Sequence, residues 1–356
     1  MIPNRRLTLY LSVLFAKRWL LVTGAAVVLV ALLDSLANAP EIAAIEGGSQ
    51  VGYLMARAPV IFDRLLLITL LLTLILTYLQ LIGRRELVAI TGAGVSAAQQ
   101  VLILLVPVLG IAIVSTFVID RFVPTGVAKL QGWSAPGYTT SRISDEKPLW
   151  LAEDNILVRI SGRKGADGVG RLELFHLSQD SQVESVTFAE GARFERGTGW
   201  RLEQAQTHHV RDTHAPGAVE MWASPQTPSS LNRLIAAPRD LSLSDMWSLS
   251  RNGSSGTRPS FSYETWFWHR LTRPLAAVAL LTLTVSMMQR FGRDEGGYGA
   301  MLVVLAIGFS YMIAEGVMLS LAEAGSLPVL FTLALLIGLL FLGGLYAWTY
   351  QETLDR

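Results

Sequence analysis

Three histidines, His208, His209 and His214, come nearest to metal-ligand spacing in this chain. The first two are neighbours, so on a strand they point to opposite faces, and no carboxylate stands at ligand spacing from them. No metal site is expected. Gly162-Arg163-Lys164-Gly165 lacks the spacing of a phosphate-binding loop, and the sequence has no G-x-S-x-G, no H-E-x-x-H and no paired-glycine dinucleotide fingerprint. With no cysteine, thiolate chemistry, disulfides and Cys-based metal sites are excluded. An enzyme is therefore disfavoured, and no catalytic residue is assigned. The informative residues are charges in apolar surroundings: Asp63, Arg64, Arg270, Arg273 and Glu315, with Asp34 and Arg57 close by. Charges inside a membrane point to function by default, since burying them is costly. The competing readings are a local Asp63–Arg64 pair or snorkelling, and for Glu315 a water-facing or hydrogen-bonded place near the outer interface. Gly308 and Gly316, near Glu315, suit close helix packing.

Charge also clusters in Gly83–Ala97, between two long apolar runs. Arg84 to Thr91 can form two helical turns, with Leu87 and Ile90 on one side and Arg84, Arg85 and Glu86 on the other. Gly92 and Gly94 end that helix, and Ser96 with Gln99 forms a capping box that starts the next one. The bland reading is an ordinary interfacial turn. The sharper one is a docking helix through which a cytoplasmic partner acts on the membrane part.

The elements that must hold these residues follow from composition. Half the residues are hydrophobic (51%) and 16% are charged, which marks an integral membrane protein. A net charge of +1 gives no case for nucleic acid. Six apolar stretches have spanning length: Trp19–Ala37, Val60–Ile82, Ala98–Phe122, Leu271–Met288, Tyr298–Leu321 and Pro328–Tyr350. The first is preceded by Arg5, Arg6, Lys17 and Arg18 on an amphipathic segment. Ala37-Asn38-Ala39 resembles a signal-cleavage site, but Pro40 after it disfavours cleavage, so a retained span is expected. Pro274 marks a first turn or a kink of the fourth span. Basic residues of the short loops (Arg5, Arg6, Lys17, Arg18, Arg84, Arg85, Arg290, Arg293, Arg356) fall on one side, against Arg57 on the other. Both termini and the Glu86 loop are thus expected in the cytoplasm.

The insert, Pro124 to about Tyr263, then lies outside the cytoplasm. Short alternating runs at Asn155–Gly162, Arg171–Ser178, Val183–Phe188, Ala192–Arg196, Trp200–Thr207 and Ala218–Ala223 read as strands. Turn signals at 165–168, Asp180-Ser181 and 197–199 separate them, and Ile156, Val158 and Ile160 share a face. Ser242 can cap a short helix, Leu243–Ser250, and Arg251–Pro259 reads as a flexible link. The expected fold is an α+β integral membrane protein: six transmembrane helices with a β-jelly-roll-like domain between the third and fourth. Its parts are residues 1–123, 124–263 and 264–356.

This order, with Arg84-Arg85-Glu86-Leu87-Val88-Ala89 before Gly92-Ala93-Gly94-Val95-Ser96, resembles the LptF/LptG lipopolysaccharide export permeases, the LptG branch more closely. Leu243–Gly253, His269-Arg270-Leu271 with Pro274, Gly308-Phe309 with Tyr311, and Ala324-Gly325 with Leu327-Pro328 carry the resemblance further. The resemblance implies an inner-membrane permease subunit of an ABC transporter, paired with a second permease (LptF-like or LptG-like). It also implies a dimeric LptB-like ATPase that uses ATP and Mg, while this chain binds no cofactor. LptC-like and LptA-like proteins would form the periplasmic bridge. Arg84, Arg85, Glu86, Leu87 and Ile90 map onto the ATPase-coupling helix, and the first and fifth spans onto the lateral gates. Arg57, Arg64, Arg270, Arg273, Asp34 and Glu315 are the candidates for contact with lipopolysaccharide. The chain departs from the family in its acidic Asp34–Glu46 segment and in lacking Trp-x-Pro in the sixth span. Rival readings are an ABC permease for lipoproteins or drugs, whose insert normally follows the first span, and a non-transporting scaffold or sensor with a β ectodomain.

Overall fold

A computed structural model describes residues 5–44, 49–133, 135–138, 148–153, 155–164, 168–178, 182–195, 199–210, 221–224, 226–251, 258–291 and 298–354. The expected turns at 165–167, Asp180-Ser181 and 197–198, and the link at 252–257, lie outside those residues, as do Glu46, His214, Arg293 and Arg356. The helices are α1 Arg5–Ala37, α2 Ala39–Ala43, α3 Gln50–Gly83, α4 Glu86–Gly92, α5 Ala97–Gly132, α6 Pro228–Ile235, α7 Leu243–Arg251, α8 Ser260–Phe291, α9 Tyr298–Glu323 and α10 Val329–Leu354. The strands are β1 Leu149–Glu153, β2 Ile156–Lys164, β3 Gly168–Leu177, β4 Val183–Ala189, β5 Gly191–Glu195, β6 Gly199–Glu203, β7 Gln206–His209 and β8 Met221–Trp222. Six helices (α1, α3, α5, α8, α9, α10) are long and apolar enough to cross a membrane, and the sheet lies between the third and fourth of them, as expected. The chain divides into a helical unit (Met1–Ala37, Arg57–Val123, Thr265–Arg356) and an insert unit (Asn38–Ala56, Pro124–Glu264).

In the helical unit, a row of buried threonines on α3 satisfies its hydroxyls within the helix. Thr69, Thr73 and Thr77 line α3 at intervals of one turn, and their hydroxyls donate to carbonyls one turn back at 3.1, 2.6 and 2.7 Å. A hydroxyl so bonded needs no partner from another helix, which is why threonine is tolerated among leucines. Glycines set two close helix contacts. A Cβ at Gly308 of α9 would collide with the Leu71 side chain of α3, and one at Gly344 of α10 would sit 2.9 Å from the Leu283 backbone nitrogen of α8. Gly316, expected to serve like Gly308, has nothing within 4 Å. Gly344→Ala is therefore expected to destabilise the detergent-solubilised protein by about 1–3 kcal/mol, because the obstacle is backbone rather than a flexible side chain. Gly338→Ala, with open space around it, should leave the thermal unfolding midpoint unchanged or raise it slightly.

Three helices outrun the spans read from apolar length: α3 begins at Gln50, α5 ends at Gly132 and α8 begins at Ser260. In α5 the buried positions Val123, Val127 and Leu130 keep the helical spacing across Pro124, where the insert was expected to begin. The periodicity was readable; the proline masked it.

The insert unit contains one antiparallel sheet that forks at β3. Its order runs β1-β2-β3-β5-β6-β8, while β4 pairs with the Leu172–Leu177 part of β3 and carries β7 on its other side. One apolar face is shared along the sheet: Leu149, Leu151, Val158, Ile160, Leu172, Leu174, Trp200 and Trp222 are buried together, with Ile156 packed against them. Leu231 and Leu234 of α6 complete that core. Trp200 buries its ring there because its indole N–H finds the Gln226 carbonyl at 2.7 Å. Trp200–Thr207 was expected as one strand but forms two. Gln204 adopts a left-handed backbone (φ 53°), so β6 returns along β5 while β7 starts anew beside β4. Strand β1 and helix α6 were not foreseen. Helix α6 nonetheless carried a signal, Thr227 before Pro228, and Thr227 and Ser230 exchange capping bonds at 3.2 and 2.9 Å. Ser242 caps α7 as expected, its hydroxyl accepting from the Asp245 N–H at 3.1 Å.

Candidate functional site

The short helix α4 is built by its two ends. Arg85 sits in the left-handed region (φ 57°) with its N–H on the Ile82 carbonyl at 2.9 Å, which stops α3 and turns the chain into α4. At the far end Gly94 (φ +83°) closes a Schellman motif: its N–H reaches the Thr91 carbonyl at 2.9 Å, and the Val95 N–H reaches the Ile90 carbonyl at 3.2 Å. Gly94 is thus the glycine the turn requires, while Gly92 is the last helical residue. The Ser96–Gln99 capping box then starts α5, with bonds of 3.0 and 3.3 Å. Between these stops Leu87 and Ile90 are buried (7% and 8% exposed), whereas Val88 is 71% exposed. Two apolar anchors fix the helix, and Arg84, Arg85, Val88 and Ala89 face outward. Glu86 stands at the first turn. Its Oε2 accepts from the Tyr10 hydroxyl of α1 at 2.8 Å, and its Oε1 lies 3.9 Å from Arg84 Nη1. Tyr10 was not singled out by sequence, since nothing local links residues so far apart.

The charges inside the helical unit form a second feature, centred on α8. His269, Arg270 and Arg273 fan out to three different helices. His269 Nε2 meets Glu315 Oε1 of α9 at 3.3 Å, Arg270 donates to Asp120 of α5 at 3.4 Å, and Arg273 donates to Asp63 of α3. The Tyr311 hydroxyl donates to the same Glu315 oxygen at 3.1 Å. Arg270, Arg273 and Asp63 are 2%, 8% and 6% exposed, so charge pairing must offset their desolvation, while the buried His269 (6% exposed) is held by its hydrogen bond to Glu315. Asp63 therefore does not pair with Arg64. Consecutive helical residues point about 100° apart, which leaves Arg64 exposed. Asp34 lies against Arg57, with bonds of 3.0 and 3.2 Å. The acid that opens the Asp34–Glu46 segment thus balances a cation of α3. The structure brings Arg270, Arg273 and Glu315 together around α8, and leaves the Asp34–Arg57 pair and Arg64 as separate features. Asp120 was missed, because an acid at the end of an apolar run carries no local mark of its partner. Of the three histidines nearest to metal-ligand spacing, His208 and His209, on β7, are exposed.

The arrangement belongs to the helical unit. It consists of helices clasped by buried charge, with one short amphipathic helix anchored between α3 and α5. The sequence matches known proteins. The family model described as "Lipopolysaccharide export system permease LptF/LptG" matches residues 9–350. The lipopolysaccharide export system permease protein LptG of Escherichia coli strain K12 is 22% identical over 235 residues, covering 64% of this chain and 65% of the relative. The protein of the same name from Escherichia coli O6:H1 matches with the same identity and coverage. The aligned part thus spans just under two thirds of the length of each relative. The family match runs through α4, the insert and all six spanning helices, and on that extent the chain belongs to the LptF/LptG permease family.

Proposed function

We propose that this chain is one of two permease subunits of an inner-membrane exporter that extracts lipopolysaccharide and passes it to a periplasmic bridge toward the outer membrane. The observation that carries the reading is the family match from residue 9 to residue 350, which includes α4 with Glu86 in its first turn. Helix α4 would dock into a groove of a dimeric cytoplasmic ATPase, which supplies the ATP and Mg chemistry. Burial is consistent with α1 and α9 as the mobile gate helices. Only 17% and 22% of their most apolar stretches are buried within the chain, against 61% and 67% for α3 and α8. Such poorly covered helices have surface left for a second permease or for lipid. The LptG branch is favoured over LptF, since both similar relatives carry that name.

Lipopolysaccharide presents phosphates, and arginine can hold a phosphate through two hydrogen bonds. Of the four candidate cations, Arg57, Arg270 and Arg273 already face carboxylates, whereas Arg64 is exposed and, among the described residues, is in no ion pair. Arg64 is the cation best placed to meet an incoming phosphate.

Purification in mild detergent tests the assembly: an ATPase and a second permease should accompany this chain. Recovery of the chain without an ATPase would favour a scaffold. Topology has its own test in this thiol-free chain. Val210→Cys and Ala93→Cys, both at exposed positions, should label oppositely with a membrane-impermeant thiol reagent that reaches the outer compartment. Position 210 should react and position 93 should be spared; equal labelling would overturn the proposed orientation.

A further inference from the structure

We propose that Tyr10 is a positioning residue for the coupling contact: it orients the Glu86 carboxylate and ties α1 directly to α4. This rests on the reading of α4 as the ATPase-docking helix. The Tyr10 hydroxyl donates to one oxygen of Glu86 at 2.8 Å, while Arg84 lies 3.9 Å from the other. The Tyr10 hydrogen bond thus orients the carboxylate before any partner arrives, and Arg84 stands near its other oxygen. Preorganising a contact group in this way removes ordering cost from the docking step. A phenol suits the task. It is a rigid donor, and being neutral it leaves the glutamate charge available to a cationic groove, which a lysine at this place would cancel.

The same contact gives α1 a mechanical link to α4. Further along α1, Arg18 donates to the Leu76 carbonyl of α3, so the first part of α1 is also fastened to α3. The rest of α1 is lightly embedded, with 17% of its most apolar stretch buried. Glu86 and Tyr10 thus give α4 a direct polar link to α1, next to the buried Leu11 and Phe15 of the same helix.

The test is a cycle of Tyr10→Phe, Glu86→Ala and the double variant, each reconstituted in nanodiscs with the second permease and the ATPase. ATPase association, lipopolysaccharide release on ATP addition and thermal unfolding of the permease are measured. Tyr10→Phe removes one hydroxyl and should weaken ATPase association about three- to tenfold and slow release, with the unfolding midpoint unchanged. In the Glu86→Ala background the same substitution should change association less than about twofold, since the hydroxyl has lost its acceptor. Normal association and release by Tyr10→Phe, with Glu86→Ala impaired, would overturn the role of Tyr10 alone. An equal Tyr10→Phe penalty in both backgrounds would also overturn it. Normal assembly and release by Glu86→Ala would remove the coupling reading, and this proposal with it.

Discussion

Glu86→Lys is expected to separate the permease from its ATPase. The native carboxylate offers a full negative charge at the first turn of α4, fixed by the buried anchors Leu87 and Ile90. Against a groove that donates hydrogen bonds or carries positive charge, losing such a contact costs about 2–5 kcal/mol once it is desolvated. A lysine adds repulsion to that loss and, beside Arg84 and Arg85, places three cations in a row. Association should weaken by about 30-fold or more. Co-purification should then fail, and lipopolysaccharide transport should cease, while the isolated ATPase keeps its hydrolysis. Transport at the native rate would mean that α4 is not the docking helix. The fold itself should survive, because Glu86 is partly exposed and no buried group depends on it.

Asp63→Asn should have the opposite signature: the assembly fails because the permease itself is unstable. Asp63 and Arg273 lie 210 residues apart in sequence and join α3 to α8, both side chains more than nine-tenths buried. Removing the negative charge strands a guanidinium in a region that solvates it poorly, and breaking a buried pair from one side typically costs about 3–5 kcal/mol. Thermal unfolding in detergent should fall by several degrees, and the yield of folded protein with it. Asp63→Leu combined with Arg273→Met removes both charges and should recover much of the loss, since apolar replacement of a buried ion pair is often neutral. Arg64→Gln, one residue away but exposed, should stay within about 0.5 kcal/mol of the native protein. If Asp63→Asn matches the native unfolding curve, or if the double variant is worse than either single one, the pair is not the clasp the geometry indicates.

The contrast between Asp63 and Arg64 also shows where sequence reading ends. Spanning helices declare themselves because about 20 successive apolar residues are a local property. The same holds for α4: the Leu87/Ile90 spacing, Gly94 and the Ser96–Gln99 box all act within a few residues. Strand faces such as Ile156, Val158 and Ile160 follow from alternation alone. The sequence by itself therefore determined the class, the order of the spanning helices, the β insert after the third span and the place of Glu86. Partner choice among the charges was decided by tertiary structure. Arg57 meets Asp34, Arg273 meets Asp63, Arg270 meets Asp120 and His269 meets Glu315, pairs separated by 23, 210, 150 and 46 residues. Each depends on the rotation and height of two helices about their axes, and those are set by side-chain packing such as Gly308 on Leu71 and Gly344 on Leu283. Tyr10 and Glu86, 76 residues apart, are joined in the same way. Composition shows that charges lie within the apolar helices; only the packed bundle determines which of them neutralise each other and which, like Arg64, are left at the surface.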